Sequence, residues 1–514
     1  MTIKRLLPAV TALLFMPSAA MAKWHEASSP HFVVYANENP EKLKAFAMKL
    51  ERFDKAMRLI GDLPDSDVGA ANRLNVYVVS DIDAVQRLAG WRGGNVAGFY
   101  IGRASGSVAF VPRKTGSNGA SELDADTIFF HEYAHHFTLG RYTSARPAWL
   151  IEGEAEFFST AVIEKDGGVG IGRSAAHRAY GAYNIAGLSL ARMLSGDTAK
   201  LSPEQTESLY GRGWLLTHYL TFETARSGQL GTYLRLLDAG TPGLEAATKA
   251  FGDLKILDRE LSAYVRRPRL KYLGIPAERL PVGAVTVRPL RAGEEAFMPV
   301  RMRSVRGVDA KAAATLVPLA RRAAASYPND PVVQAQLAEV EYDAGNLAVA
   351  DAAADRALAA DGKHVDALVY KGRIKMAQAI AAKTTDPTVW RNVRTWFSKA
   401  ALADTEAAEP KVLFHATFAA QNIPATRNAV AALLFAQQLV PQDSGLRLQV
   451  VHQHLQDGEA ATARKLFAPI AYNPHGAPAQ REWSAKVMAR LMENDAKGAL
   501  ALWKASNEVE AAGE

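Results

Sequence analysis

The spacing of apolar residues along the chain changes twice, and each change predicts a different kind of structure. In the first part, short runs rich in β-branched and aromatic residues predict strands: HFVVYA (31–36), RLNVYVV (73–79), AGFYIG (97–102) and GSVAFVPR (106–113). The longer segments between them predict helices, and the first opens at Asn39 and Pro40 and ends at Gly61. This alternation predicts an α+β unit with helices packed on a small sheet.

From Ser121 to about Tyr272 the pattern becomes helical. Ser121 and Asp124 form a helix start signal and Gly140 a stop, which predicts a helix of about five turns. The next predicted helix, PAWLIEGEAEFFSTAVIEK, covers residues 147–165. A capping box at 202–205 then opens TESLYGRGWLLTHYLTF. Residues 276–310 differ again, because short β-type runs alternate with proline, glycine and arginine, and we interpret them as a linking segment with some strand.

Past residue 311 the chain is alanine-rich, helical and repetitive. In a unit that starts at Pro331, small and apolar residues occupy the positions that resemble those of the tetratricopeptide repeat (TPR): Leu337, Ala338, Gly345, Ala350, Ala357 and Leu358. The unit 365–409 is too long for the repeat and predicts an extended helix. We therefore expect TPR-like repeats at 311–506 and a flexible tail at 507–514; helical hairpins without a true repeat remain the alternative.

The first 22 residues have the pattern of a secretory signal peptide. Lys4 and Arg5 precede the apolar run LLPAVTALLFMP, and Ala20 and Ala22 supply a small-residue cleavage signal. The alternative is an anchoring N-terminal helix, although the run is short for a membrane span. The sequence contains no cysteine, which excludes disulfides and thiolate metal sites. We expect export across the inner membrane to the bacterial periplasm, with no transmembrane segment after signal removal.

The chain carries a formal net charge of +7, but its basic residues are spread along the sequence. Short clusters such as Arg266 with Arg267 are typical of solvated faces, and no nucleic-acid motif accompanies them. We therefore expect no nucleic-acid partner.

Three of the 12 histidines lie in FFHEYAHHFTLG (129–140), on a predicted helix. His131 and His135 are four residues apart, so both imidazoles face one way and lie close enough to share a metal ion. Glu132 lies beside them, where it can take a proton from water that the metal activates. The alternative is a pair of core histidines on an apolar helix. His136 points away from this pair and is interpreted as structural or as a supporting donor.

A catalytic zinc ion needs a third protein ligand and an open position. The next helix offers three candidates, Glu152, Glu154 and Glu156. Glu152 and Glu156 share a face, whereas Glu154 lies on roughly the opposite side. Two carboxylates on one face can have different roles, because one can bind the metal while the other accepts a hydrogen bond from the free N–H of a ligand histidine.

HEYAH followed by WLIEGEAEF resembles the gluzincin metallopeptidases, whose second helix carries Trp-Leu-x-Glu-Gly with that glutamate as a zinc ligand. The resemblance implies Glu152 as the ligand and Glu156 as the acid that supports a ligand histidine. YGRGWLLTHYL is similar to a Tyr-x-Lys-Gly segment of gluzincin aminopeptidases, which implies that Tyr210 stabilises the tetrahedral intermediate. Arg212 stands where those relatives have lysine. His218, two turns later, is interpreted as a core or interface residue.

In gluzincins the strand before the metal helix is a sheet edge that pairs with the substrate backbone, which implies substrate-binding roles for Ser107, Val108, Ala109 and Phe110. The Gly-x-Met-Glu-Asn motif that reads a free amine in the aminopeptidases does not occur. The resemblance therefore implies endopeptidase activity.

Overall, the chain is most similar to bacterial peptidase MA-like gluzincins joined to TPR repeats, over 23–275 for a zincin-like α+β domain and 311–506 for an all-α repeat domain. The resulting hypothesis is an exported zinc peptidase with one Zn²⁺ held by His131, His135 and Glu152. Glu132 and Tyr210 are its catalytic residues, and its repeats bind a protein partner or the substrate. Two alternatives remain, a weakly active or inactive zincin-fold scaffold whose repeats mediate protein interactions, and hydrolysis of cell-wall peptides.

Overall fold

The structure is a computed structural model that describes residues 23–65, 68–90, 97–114, 124–139, 146–183, 187–196, 201–471 and 478–513. It comprises a mixed α/β N-terminal region followed by an all-helical C-terminal region. The predicted signal peptide, as well as the start and stop signals at Ser121 and Gly140, lies outside the described residues. None of the described helices combines the length and apolar character that crossing a membrane requires.

The strands of the N-terminal region form two sheets. In chain order they are β1 (Trp24–Ser28), β2 (Phe32–Asn37), β3 (Leu74–Asp81), β4 (Phe99–Ile101), β5 (Val108–Lys114), β6 (Val162–Ile163), β7 (Val169–Ile171), β8 (Leu273–Ile275) and β9 (Thr286–Pro289). The larger sheet has the order β4-β5-β3-β2-β1-β9, and β6-β7-β8 form the smaller one. β2, β3 and β5 run parallel, while β1, β4 and β9 pair antiparallel.

The central strands are apolar at nearly every position because both faces of the larger sheet are covered. Phe32, Val34 and Val76 belong to the main core, into which the helices of the N-terminal region also pack. The alternate residues Tyr35 and Tyr77 turn to the other face, where they meet Met298 from the helix that follows β9. The sheet therefore forms the middle layer of three.

The helices of this region are α1 (Pro40–Ile60), α2 (Ile82–Ala89), α3 (Ala125–Leu139), α4 (Ala148–Ser159), α5 (Ala179–Tyr183), α6 (Leu190–Ser195), α7 (Pro203–Phe222), α8 (Gln229–Asp238), α9 (Gly243–Phe251) and α10 (Leu254–Tyr264). α1 begins as predicted, since the Asn39 side chain accepts the backbone N–H of Glu41 at 2.9 Å. The predicted capping box of α7 is also present, formed by Ser202 and Gln205. The local start signals thus predict correctly where these two helices begin.

Two predicted elements are wrong. The helix expected at 147–165 ends at Ser159, because Val162 and Ile163 pair with β7 in a short hairpin. The segment 276–310, expected to be a linking segment with some strand, does contain a strand, β9, which pairs with β1, but its later β-type run at 296–305 belongs to the helix α11 (Ala292–Val305). β-Branched residues explain the first error, since they favour a strand as soon as a pairing partner is available.

The predicted substrate-binding edge at 107–110 is also wrong. β5 pairs with β3 on one side and with β4 on the other, so it lies inside the sheet. Ser107, Val108, Ala109 and Phe110 are all buried, with at most 2 % of their surface exposed. Strand order depends on contacts between segments distant in sequence, which local patterning does not encode. Within the described residues, β4 is the strand that ends the sheet on this side.

After α11 the chain continues as helices, which pack largely in sequential pairs: α12 (Ala310–Ala324), α13 (Pro331–Asp343), α14 (Leu347–Ala360), α15 (Val365–Ala381), α16 (Pro387–Ala403), α17 (Glu409–Ala419), α18 (Arg427–Leu439), α19 (Ser444–Gln456), α20 (Ala460–Ala471), α21 (Pro478–Met492) and α22 (Ala496–Gly513). We call α12–α22 the helical array. Alanines such as Ala350, Ala353 and Ala357 are fully buried and allow close helix contact. The long unit contains two 17-residue helices, and α22 continues through most of the expected tail.

The helical array contacts the turn between β4 and β5 (residues 102–107). The backbone N–H of Ala104 donates to Asp443 Oδ2 at 2.7 Å, and Gln442 Nε2 donates to Ser107 Oγ at 3.3 Å. Nearby, Asn72 Nδ2 donates to the carbonyl oxygen of Glu406 at 3.0 Å. These bonds connect the helical array to the half of the sheet that ends in β4.

Candidate metal centre

The candidate ligands come from two adjacent helices. The Nε2 atoms of His131 and His135 on α3 lie 3.1 Å apart. Glu152 Oε2 on α4 lies 3.6 Å from each of them. Glu152 is fully buried, while both histidines remain slightly exposed at 16 % and 15 %. The three predicted ligands therefore converge on one point that solvent still reaches.

The separations of these three atoms fit a zinc ion. A tetrahedral ion with bonds of about 2.0–2.1 Å holds its ligand atoms roughly 3.3 Å apart. Two imidazole nitrogens and one carboxylate oxygen are also a ligand set that catalytic zinc sites use, with a fourth position left open. Both the spacing and the chemistry of the donors therefore suit zinc.

The approach of α4 to α7 determines where Glu152 lies. Gly153 on α4 faces Gly213 on α7, and a Cβ atom at Gly153 would clash with the Gly213 carbonyl and lie 2.6 Å from Thr217 Oγ1. Trp149, fully buried one turn earlier, donates its indole N–H to the Tyr233 hydroxyl at 3.4 Å. Glycine and a packed tryptophan thus hold α4 in place beside its neighbours.

Glu156 contacts His131 through Nδ1, the ring nitrogen that does not face the other two candidate ligands. Its carboxylate is 1 % exposed, and His131 Nδ1 lies 3.3 Å from Oε1. Two residues that the sequence analysis did not single out complete its surroundings. His177 Nε2 lies 2.7 Å from Oε2, while Arg178 Nε donates to Oε1 at 2.8 Å and Arg178 Nη2 forms an ion-pair contact with it at 2.8 Å. The contact with His131 Nδ1 leaves the Nε2 atom of that ring facing the other two candidate ligands.

The charges of the cluster shift two pKa values in opposite directions. Burial lowers the pKa of His131, but the carboxylates of Glu156, Glu152 and Glu132 outweigh it and raise that pKa to about 9. Burial likewise raises the pKa of Glu156, but His131, His177 and Arg178 hold it well below its usual range. The surplus of negative charge around the two imidazoles is what a bound cation would balance.

Tyr210 on α7 lies against the same histidine. Its ring stacks on that of His131, with centroids 6.1 Å apart and planes 19° from parallel. Burial raises the pKa of the Tyr210 hydroxyl, and a hydrogen bond with the Glu152 carboxylate raises it further, so the hydroxyl stays a proton donor. The predicted oxyanion donor is therefore in hydrogen-bond contact with a predicted ligand.

Glu132 lies on the side of α3 that faces the edge strand. Its Cγ atom is 3.8 Å from the position that a Cβ atom would occupy on Gly98, immediately before β4. A side chain at residue 98 would also crowd Ile128, so glycine lets β4 pass close to α3. A chain lying along β4 would therefore pass near Glu132.

The other residues named as candidates from the sequence lie outside the cluster. His136 Nδ1 lies 2.7 Å from the Tyr100 hydroxyl on β4, and burial lowers the pKa of His136 to about 3. His218 is fully buried, with Nδ1 2.9 Å from the Tyr264 hydroxyl, which fits a core residue. Arg212 is also buried, where it donates to the Leu188 carbonyl at 2.6 Å and pairs with Asp258. Glu154 does not belong to the ligand group.

A second group, His31, Asp54 and Asp65, also brings potential ligand atoms together. Its carboxylates are already engaged, since Asp54 accepts from Arg58 Nε at 2.6 Å and from the Tyr133 hydroxyl at 2.5 Å, and Lys55 pairs with Asp65. Two cations in contact with the carboxylates disfavour a metal ion there. This group is an ion-pair network that fixes α1 against α3.

Comparison with protein-family models gives no match, and comparison with curated proteins finds no sequence with significant similarity.

Proposed function

We propose that this protein is a zinc-dependent peptidase of the gluzincin type, with a zincin-like N-terminal domain. The observation that carries the proposal is the convergence of His131, His135 and Glu152 at separations of 3.1–3.6 Å, with Glu132 on the same helix. Zinc held by these residues would supply a Lewis acid and lower the pKa of a coordinated water toward neutrality. Peptide-bond hydrolysis is the reaction that best suits this set of groups.

The roles of the chain's own residues follow from their positions. Glu132 accepts the proton of the attacking water and delivers it to the leaving amine. Tyr210 donates its hydroxyl proton to the oxyanion that develops on the peptide carbonyl. Glu156 accepts the Nδ1–H of His131 and so orients Nε2 of that ring toward the metal position. Among the described strands β4, rather than β5, forms the border of the sheet, and its outer side is the edge that we assign to the substrate backbone.

The proposal extends to the rest of the chain. The alanine-lined helical pairs resemble TPR repeats, and we propose that they bind a protein partner or the substrate. The N-terminal signal pattern supports export, with a periplasmic location. A cell-wall peptide would use the same groups as a protein substrate, and a panel containing both distinguishes the two.

Metal analysis and one substitution test the catalytic proposal. Purified protein should contain about one zinc ion per chain, and Glu152→Gln should lose it. Glu132→Gln should keep the zinc but lose roughly 10²- to 10⁴-fold of its turnover of fluorescein-labelled casein or of cell-wall peptides. Glu154→Gln, on the same helix as Glu152, is the matched control and should retain both zinc and activity.

The outcomes separate the two main hypotheses. A chain that binds no zinc, or a Glu132→Gln variant with unchanged turnover, would contradict the peptidase. Zinc binding without turnover of either substrate class by the unaltered protein would favour the scaffold alternative. In that case, deletion of residues 311–514 should abolish partner capture while the zinc content remains.

A further inference from the structure

Arg178 contacts two residues of the metal cluster that lie on different helices, Glu156 on α4 and Tyr210 on α7. It ends the short 3₁₀ turn Ala176–Arg178, between α4 and α7. Its Nε donates to Oε1 of Glu156 at 2.8 Å, and its Nη2 forms an ion-pair contact of 2.8 Å with the same oxygen, which His131 Nδ1 approaches at 3.3 Å. The guanidinium thus shares one carboxylate oxygen with a predicted metal ligand.

The other side of Arg178 packs on Tyr210. The guanidinium carbon lies 4.7 Å from the centroid of the Tyr210 ring, and that ring stacks in turn on His131. Arg178, Tyr210 and His131 therefore form successive layers, and Glu156 closes the loop from Arg178 back to His131. A planar guanidinium suits this position, since it can donate two N–H groups in its plane and present its face to an aromatic ring.

We propose that Arg178 is a positioning residue of the metal site, which fixes Glu156 against His131 and supports the ring of Tyr210. The inference rests on the proposed zinc peptidase and names a further residue that it requires. Without Arg178, the buried Glu156 carboxylate loses a charge-assisted hydrogen bond from Nε and the ion-pair contact with Nη2. It is then freer to rotate away from His131, and Tyr210 loses the surface beneath its ring.

Zinc affinity provides a readout that does not depend on a substrate. Competition with a chromogenic chelator should show that Arg178→Gln binds zinc roughly 10- to 100-fold more weakly than the unaltered protein, as expected when a group that orients a metal ligand is removed. Arg178→Lys keeps the charge but loses the planar guanidinium, with its Nε donor and its stacking face, so we expect an intermediate loss.

Glu207 supplies the matched control. Arg178 Nη1 also pairs with Glu207 at 3.2 Å, but that carboxylate is 45 % exposed. Glu207→Gln removes the solvent-exposed pairing of Arg178 and leaves its bonds to Glu156. The zinc affinity of this variant should stay within about twofold of the parent, because exposed ion pairs contribute little.

A second readout tests the contact with Tyr210. At saturating zinc, Arg178→Gln should lower kcat on fluorescein-labelled casein by roughly 10- to 100-fold, since a small misplacement of a catalytic group has that effect. The KM should change little, because the hydroxyl acts only in the transition state. A purely structural role for Arg178 would lower thermal stability and leave the kcat of the folded, loaded protein unchanged.

The results separate this inference from the proposed function. Unaltered protein without zinc removes the proposed function, and the role of Arg178 with it. Unaltered protein that binds zinc, together with an Arg178→Gln variant of equal affinity and kcat, removes only the role of Arg178. If Arg178→Gln does not fold, Arg178→Lys carries the test, and parental affinity and kcat in that variant would overturn the positioning role.

Discussion

Glu339 provides a test of the contact between the helical array and α11. It lies on α13, and its Oε1 accepts the hydroxyl of Ser304 from α11 at 2.9 Å. Burial and the negative charges of Asp343 and Asp366 together raise the pKa of Glu339 to about 7, against the opposing effects of the Ser304 hydrogen bond and of Arg103 from the turn between β4 and β5. We expect Glu339→Gln to stabilise the fold, but only above the pH at which the carboxyl ionises in the unfolded chain.

The magnitude follows from the difference between the folded and unfolded states. The unfolded carboxyl has a pKa of 4.5, against about 7 in the fold. Below pH 4.5 both states hold the proton, and the group has no effect on stability. Between 4.5 and 7 only the unfolded state releases it, so stability falls as pH rises. At pH 8 the accumulated cost is about 3 kcal/mol.

The assay is denaturant unfolding of Glu339→Gln and its parent at pH 5 and pH 8. We expect the free energy of unfolding of the variant to exceed that of its parent by less than about 1 kcal/mol at pH 5 and by about 3 kcal/mol at pH 8. Glu482→Gln is the control, because Glu482 is exposed and its pKa is lowered by Lys486. A gain at pH 8 no larger than the gain at pH 5 would refute the reasoning.

Further predictions concern the metal cluster and its support. Tyr210→Phe keeps the ring stack but loses the hydroxyl, so steady-state kinetics should show kcat lowered by about 10²- to 10³-fold at unchanged zinc content. Gly153→Ala forces a Cβ atom against α7 and should cost about 1–3 kcal/mol in denaturant unfolding. Gly231→Ala, on α8, meets only Arg235 Nη1 at 3.5 Å and should be neutral or stabilising. Dialysis against a chelator should lower the melting temperature of the parent but not that of Glu152→Gln.

Sequence patterns predicted those features that depend on neighbours along the chain. Four-residue spacing placed His131 and His135 on one face, and a capping box marked the start of α7. Glu152 needed more than spacing, since the resemblance to gluzincins chose it among three glutamates. The structure brings Glu152 to the two histidines through the packing of α4 against α3 and α7, which the sequence expresses only indirectly, in residues such as Gly153.

Other features could not be predicted because they arise from contacts between distant segments. His177 and Arg178 lie in an irregular stretch with no periodicity, 21 and 22 residues beyond the carboxylate that they hold. The only local signal was their adjacency in SAAHRAY, between two motif-bearing helices. The edge strand was misplaced for the same reason, since nothing within GSVAFV states that β4 pairs on its outer side.

The pairing of β9 with β1 has a consequence for the order in which the chain folds. β1 is the first strand to be synthesised, and its outer neighbour is made only when residues 286–289 emerge. Every residue of the metal cluster is translated earlier, at a stage when the outer side of β1 still lacks its partner strand β9. An unpaired border invites association with other chains, so a fragment that ends at residue 275 should aggregate, whereas one that reaches α11 brings its own closing strand.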